Sequence, residues 1–277
     1  MNIMILGSGQ DAGIPHTGCF CDICNEARDD PKFRRLGPSI AIFDKDEGFC
    51  YLIDSSPDFK YQLDMIKEEE IRIRRTGETS ISGILLTHAH FGHCSGLWHL
   101  DKEALEEIEL PIFCTKKMKR FLSENHPFSL LVQRKNIEIN EILPNKSYEL
   151  DGLNFIPTEV PHRNEISDTV GYIMQSKKRV VYIPDVDHWT DEVIDEIKIS
   201  NIAIIDGTFY SRDEIPRYEE VPHPPIEKTL ELLENIKTEI FFTHINHTNK
   251  INTEGKERKN IEDKGHKIAY DGMILEI

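Results

Sequence analysis

The chain is sparing with several things. Its 277 residues include only six cysteines and two tryptophans. No apolar stretch approaches the ~20 residues of a membrane span, so no membrane partner is expected. Basic residues are outnumbered, 33 against 49 acidic ones, for a formal net charge of −16. A surface of that sign repels nucleic acid and anionic lipid. It argues against a nuclease acting on RNA unless a local basic patch offsets it. Short-period repeats and low-complexity stretches are absent as well. The opening Met1-Asn2-Ile3-Met4-Ile5-Leu6-Gly7 lacks the layout of a signal peptide and reads as a first strand. A cytoplasmic location is therefore expected. In that reducing compartment the cysteines are not expected to form a disulfide framework.

A hydrophobic share of 39% is enough for a sizeable core. Short β-rich runs dominate: Asn2–Leu6, Ser39–Phe43, Phe49–Ile53, Gly83–Leu86, Pro111–Cys114, Leu153–Thr158, Val170–Gln175, Arg179–Ile183, Ile202–Ile205 and Glu239–Phe242. Helical spacing of apolar residues falls at Asp58–Glu70, Lys116–Ser123, Asp191–Ile197 and Ile226–Ile236, the last opened by Pro224-Pro225. Lys267–Ile277 reads as a closing strand pair around Asp271-Gly272. Hairpin and helical connections in one chain predict an α/β protein with two sheets and helices outside. A single domain over 1–277 is expected, its two similar halves dividing near 145–152. Gly7-Ser8-Gly9-Gln10-Asp11-Ala12-Gly13 follows a strand as a dinucleotide loop would, but its spacing is one residue too long and Pro15 opposes a helix there.

The most informative segment is Thr87-His88-Ala89-His90-Phe91-Gly92-His93. Three imidazoles follow the apolar run Ile81–Leu86, on the loop at the end of a buried strand. Neutral imidazole is the commonest ligand of zinc and its neighbours, and a loop anchored on a strand can aim several rings at one point. Further donors end later strands: His162 after Phe155–Val160 and Pro161, Asp185 after Val180–Pro184, and His244 after Ile240–Thr243. Together they look like one metal site. A divalent ion there would acidify a water for hydrolysis. The leaving group would then need a proton, and His223, just before a predicted helix, is the candidate donor. Cys19-Phe20-Cys21-Asp22-Ile23-Cys24 suits a second, structural metal, since three thiols lack only one ligand of a Cys₃His site. His247 is the spare histidine beside His244.

The order His-x-His-x-x-His, His, Asp, His resembles the metallo-β-lactamase superfamily across the chain. The resemblance implies a four-layer αβ/βα sandwich. It implies a first metal on His88, His90 and His162, a second on His93 and His244, and Asp185 bridging them as a catalytic group. The Cys-x-Cys-x-x-Cys with a histidine three residues past the last ligand is similar to one branch. That branch holds cyclic phosphodiesterases of phosphonate breakdown and protein B of pyrroloquinoline quinone biosynthesis. It implies a structural zinc on Cys19, Cys21, Cys24 and His247. The branch also has a histidine near the position of His223. Asp54 and Asp58 match a motif beside the family's active site, and Asp206 ends a strand in the same way. All three are expected to support ligand histidines.

One departure stands out. The superfamily motif has aspartate where this chain has Gly92, so a firm first site and a weaker second one are expected, with aspartate at 92 tightening the latter. The expected cofactors are one or two catalytic divalent metals, zinc or manganese, and one structural zinc. Iron also suits these donors. The expected reaction is hydrolysis of a small phosphodiester, a cyclic one included. The alternatives are a role in quinone biosynthesis and a non-catalytic scaffold. A small-molecule substrate and no nucleic acid are expected; a homodimer is left open.

Overall fold

The computed structural model describes residues 1–70, 81–214 and 220–277. Fourteen strands among them form two seven-stranded sheets. The first sheet contains β1 (Asn2–Gly7), β2 (Ser39–Asp44), β3 (Phe49–Ile53), β4 (Gly83–Leu85), β5 (Leu110–Cys114) and β6 (Ile137–Glu141) in that order. The second contains β7 (Tyr148–Leu150), β8 (Leu153–Glu159), β9 (Val170–Gln175), β10 (Arg179–Ile183), β11 (Ile202–Asp206), β12 (Glu239–Thr243) and β13 (Lys267–Ile268). The last strand, β14 (Ile274–Glu276), returns to the first sheet beside β1.

Alternation along the strands builds three apolar layers. In β1, Ile3 and Ile5 face the other sheet, where they join Tyr51, Phe155, Tyr172, Tyr182 and Phe241. Met4 and Leu6 face outward into a layer with Phe59, Ile66, Met118 and Leu122, carried by helices Phe59–Glu68 and Lys116–Glu124. On the far side Val181, Ile183, Ile205 and Phe242 pack on Val193, Ile197, Leu230 and Ile261 from three further helices. The result is the four-layer αβ/βα sandwich. Both faces of the central strands are covered, which is why they read as unbroken apolar runs.

The C-terminal segment differs from expectation. Lys267–Ile277 is not a hairpin: β13 pairs with β12 in one sheet and β14 with β1 in the other. Each sheet has an edge to cover, and the chain crosses between them. Asp271-Gly272 still turn the chain, Met273 N donating to Tyr270 O at 3.1 Å, but the Asp271 carboxylate accepts from Ser8 N at 2.8 Å and Leu36 N at 2.6 Å, and the flanking strands do not pair with each other. Helix Ile226–Leu232 stops before Ile236, and Asn235 turns left-handed with φ 63°.

Strands β3, β4 and β5 run parallel, as do β10, β11 and β12. Their C-terminal ends meet at one edge of the sandwich. Tyr172 of the second sheet donates to Leu86 O of the first at 2.7 Å and ties the two together there.

Candidate metal centre

The loop after β4 is clamped from behind by Asp54, which follows β3 with φ 67°. Its carboxylate accepts from Thr87 N at 2.8 Å, from Thr87 Oγ1 at 2.9 Å and from His93 Nδ1 at 2.7 Å. A hydroxyl has one proton, and Thr87 gives it to Asp54. Thr87 Oγ1 therefore accepts from His88 Nδ1 at 2.9 Å. Both imidazoles are left with Nδ1–H behind them and Nε2 facing the centre. His88 and His93 are fully buried, and neither Nε2 has a hydrogen-bond partner of good geometry.

The second sheet repeats this device. Asp206 ends β11 and accepts from Thr208 N at 2.9 Å, Thr208 Oγ1 at 2.8 Å and His223 Nδ1 at 2.7 Å. Thr208 Oγ1 accepts from His244 Nδ1 at 2.9 Å. His244 Nε2 is again buried, facing the centre, without a hydrogen bond. One Asp–Thr pair in each sheet thus fixes the tautomers of two histidines, a common way to orient metal ligands.

Between the clamps lies Asp185, past the end of β10 and 3% exposed. Its carboxylate is 2.7 Å from His93 Nε2, 3.2 Å from His244 Nε2, and 3.7 Å from both His88 Nε2 and His162 Nε2. His162 donates Nδ1–H to Asp187 at 2.9 Å and turns Nε2 to within 3.2 Å of His90 Nδ1. Ligands on a tetrahedral zinc at ~2.05 Å stand about 3.3 Å apart, close to these spacings. The donor atoms of His88, His90 and His162 all lie within 4.8 Å of one another, as do those of His88, His93 and Asp185, and of Asp185, His223 and His244. The residues named from sequence as candidate ligands therefore share one pocket.

Electrostatics fit a cation. Burial holds His88, His90 and His244 below the usual imidazole range, which favours the neutral, ligating form. Burial alone would raise the Asp185 carboxyl, but His244, His162 and His93 outweigh it and hold it well below the usual range. Burial would likewise strip His93, yet Asp54 and Asp185 keep its proton well above that range. The two carboxylates that favour a proton there would equally favour a metal ion.

Asp58 does not reach the centre. It accepts from Gly37 N at 2.8 Å and supports the N-terminal loop, not a histidine. A carboxylate stands near His93 and His244 although position 92 is glycine. Asp11, from the loop after β1, stands 3.9 Å from His93 Nε2, and its carboxylate lies within 4.8 Å of donors on both His93 and His244. A Cβ on Gly92 would fall 2.0 Å from Asp11 Oδ1 and 2.6 Å from its Cα. Aspartate at 92 thus meets Asp11 head on instead of simply tightening the site. Asp11 sits in a glycine-rich loop far from the histidine motif, and no spacing rule marks it as a donor. The clamp threonines and Asp187 gave no signal beyond adjacency to candidate residues. Arg163 next to His162 was also missed; its guanidinium is close enough to His90 and His223 to disfavour protonation of both.

The thiols converge as well. His247 Nδ1 stands 3.6 Å from Cys19 Sγ and 3.7 Å from Cys21 Sγ, and Cys24 completes the group. A tetrahedral zinc would hold such S and N ligands about 3.6 Å apart. His16 N donates to Cys24 Sγ at 3.3 Å.

Paired imidazoles and carboxylates at one edge of an αβ/βα sandwich define the metallohydrolase class of this fold. The chain belongs to the beta-lactamase superfamily, whose domain model matches residues 50–245. Among its relatives is the coenzyme PQQ synthesis protein B of Rhizobium meliloti, 30% identical over 100% of this chain and 98% of the relative. The protein of the same name from Methylorubrum extorquens is 28% identical over all of both chains. The zinc-bound PqqB from Methylobacterium extorquens superposes with a TM-score of 0.85, at 26% identity and full coverage of both chains. A diphosphatase of the PhnP family gives a TM-score of 0.74, at 27% identity, covering 100% of this chain and 96% of that one.

Proposed function

We propose that the protein is a metal-dependent hydrolase of a small anionic ester, with a phosphodiester or diphosphate as the substrate class. The observation that carries this reading is Asp185 set among buried imidazoles with their Nε2 atoms turned inward. His88, His90 and His162 would hold one divalent ion, His93 and His244 a second, and Asp185 would touch both. The metals would supply Lewis acidity toward the ester and its attacking water. Zinc is favoured by the nitrogen donors, manganese by the added carboxylates. A structural zinc would occupy Cys19, Cys21, Cys24 and His247, whose thiols stay available in a reducing cytoplasm.

The chain's own residues do the rest. Arg163 supplies a cation beside the centre, and its Nε is buried without a hydrogen-bond partner. A substrate anion would meet it there. His223 is the proton donor. Burial disfavours its charged form, but Asp206 and Asp185 outweigh that and raise its pKa above the usual value. It thus holds a proton for a leaving alkoxide. The net charge of −16 favours a small molecule over a polymer that would have to approach the whole surface.

The test is turnover of bis(4-nitrophenyl) phosphate and of small cyclic phosphodiesters by protein reloaded with zinc or manganese. His223→Ala is expected to slow it by about 10²–10⁴ with metal content unchanged. Loss of a metal in that variant would make His223 a ligand and end its role as acid. A second reading, a step in quinone-cofactor synthesis, is favoured by the full-length match to PQQ synthesis protein B. Restored cofactor production in a strain lacking that protein, together with no phosphodiester turnover, would select it.

A further inference from the structure

Gly92 and Asp11 form one feature. The position that carries a side-chain ligand in the usual motif is here a glycine, and the volume in front of it holds the Asp11 carboxyl and backbone. His93 Nε2 stands 3.9 Å from that carboxyl and His244 has a donor within 4.8 Å of it, and the one nearer carboxylate at both buried Nε2 atoms is Asp185. We infer a ligand exchange: Asp11, supplied by the loop after β1, completes the second metal site in place of an aspartate at 92, and glycine at 92 is what makes room for it.

The loop is built to hold Asp11 still. Gly9 N donates to Leu36 O at 2.9 Å, and Gln10 N to Ile245 O at 3.0 Å. Ile245 N donates back to Ser8 O at 2.9 Å, so the loop is laced to the residue after His244. Ser8 itself is bonded to half-buried Asp271 at 2.6 Å and receives Arg35 Nη1 at 2.8 Å. Gly13, with φ 66°, turns the chain away immediately afterwards. Asp11 is thus fastened to the strand end that supplies His244. In sequence the carboxylate lies far from both His93 and His244, yet in space it is within 4.8 Å of donors on each. It also gives the second site an oxygen donor besides Asp185, which suits the harder divalent metals.

The inference rests on the metal-centre reading but not on any substrate, and metal binding tests it without an activity assay. Cobalt would be titrated into apo-protein and followed by total metal analysis and by absorption. Thiolate-to-cobalt bands report the Cys₃His site, and weaker visible bands the histidine centre. Wild type is expected to take two ions at the histidines. Asp11→Asn, which keeps size and removes charge, is expected to weaken the second ion by at least the ~10–100-fold typical of outer-shell changes. Asp11→Gly should do the same, and Asp11→Gly with Gly92→Asp should recover it. Two tightly held ions in Asp11→Asn would overturn the assignment while leaving the metal centre intact. A folded double variant that stays depleted would overturn the exchange. Wild type taking no cobalt at the histidines would overturn the assignment together with the metal centre itself.

Discussion

Replacing Asp54 by asparagine tests whether the clamp behind the histidines sets metal affinity. Asn tolerates the left-handed backbone that Asp54 adopts, φ 67°, so the loop should keep its path. The difference lies in the hydrogen bonds. Asp54 accepts from three donors: Thr87 N, Thr87 Oγ1 and His93 Nδ1. An amide has one acceptor oxygen and one donor nitrogen. If the oxygen faces Thr87, the amide nitrogen meets His93 Nδ1–H donor to donor. His93 must then move its proton to Nε2, where it blocks a metal. If the oxygen faces His93, Thr87 N is buried without an acceptor, and Thr87 can no longer orient His88. Either arrangement disturbs a ligand: His93 of the second proposed ion in the first case, His88 of the first in the other. Changes behind ligand histidines cost about 10–100-fold in affinity, or about 1.4–2.7 kcal/mol. Competition against a chromophoric chelator measures this directly, with the thiol-bound zinc as internal control. Affinity within about twofold of wild type, in a folded protein, would refute the account of tautomer control.

Three further outcomes are expected. Zinc affinity at the thiols should rise with pH: burial lifts the Cys24 thiol to about 12, so binding at neutral pH must displace its proton. Each proton released contributes about tenfold per pH unit. Chelator competition between pH 6 and 8 (roughly the range in which zinc stays soluble) should show that slope, and a flat profile would mean a preformed thiolate. Arg163→Gln should raise KM for an anionic ester by about tenfold with little change in kcat, since a charge-assisted contact is lost; an unchanged KM would remove Arg163 from substrate binding. Phe155→Ala should cost about 3–5 kcal/mol by opening a cavity between the sheets. Phe155 is 1% exposed and packs against Tyr148 and Tyr172 there. A denaturant midpoint close to wild type would mean that the layer can collapse around the loss.

Much of the fold was legible because buried strands announce themselves. Phe49–Ile53, Val170–Gln175 and Arg179–Ile183 have the same bounds in sequence and structure, each an apolar run closed by polar residues. Ile137–Glu141 and Tyr148–Leu150 were missed because they lie toward the outer edges of the sheets, half-covered and rich in charge. The C-terminal strands were misjudged because pairing partners are non-local. Asp271-Gly272 has the chemistry of a hairpin turn, and only the two sheet edges decide otherwise. At the centre, sequence order sufficed for residues that end strands, because parallel strands in one layer must end on the same side. It failed for Asp11, since no spacing rule links the loop after β1 to a motif some eighty residues later.

The proposed structural zinc and the proposed Asp11 ligand bear on each other. The segment from Ser8 to Cys24 carries Asp11 and all three thiols, and the turn from His244 to His247 carries a candidate ligand for each site. A zinc on Cys19, Cys21, Cys24 and His247 would therefore close a ring through both segments. Ile245 is bonded to Ser8 and Gln10 in its middle. A motif aspartate at 92 would need no such ring, because its own helical turn would fix it beside His93. A carboxylate carried on a remote loop does need one, since each ångström of drift in the loop is an ångström of error at the metal. With zinc bound, the thiol cluster would thus anchor both ends of the segment pair from which the proposed second site would be assembled.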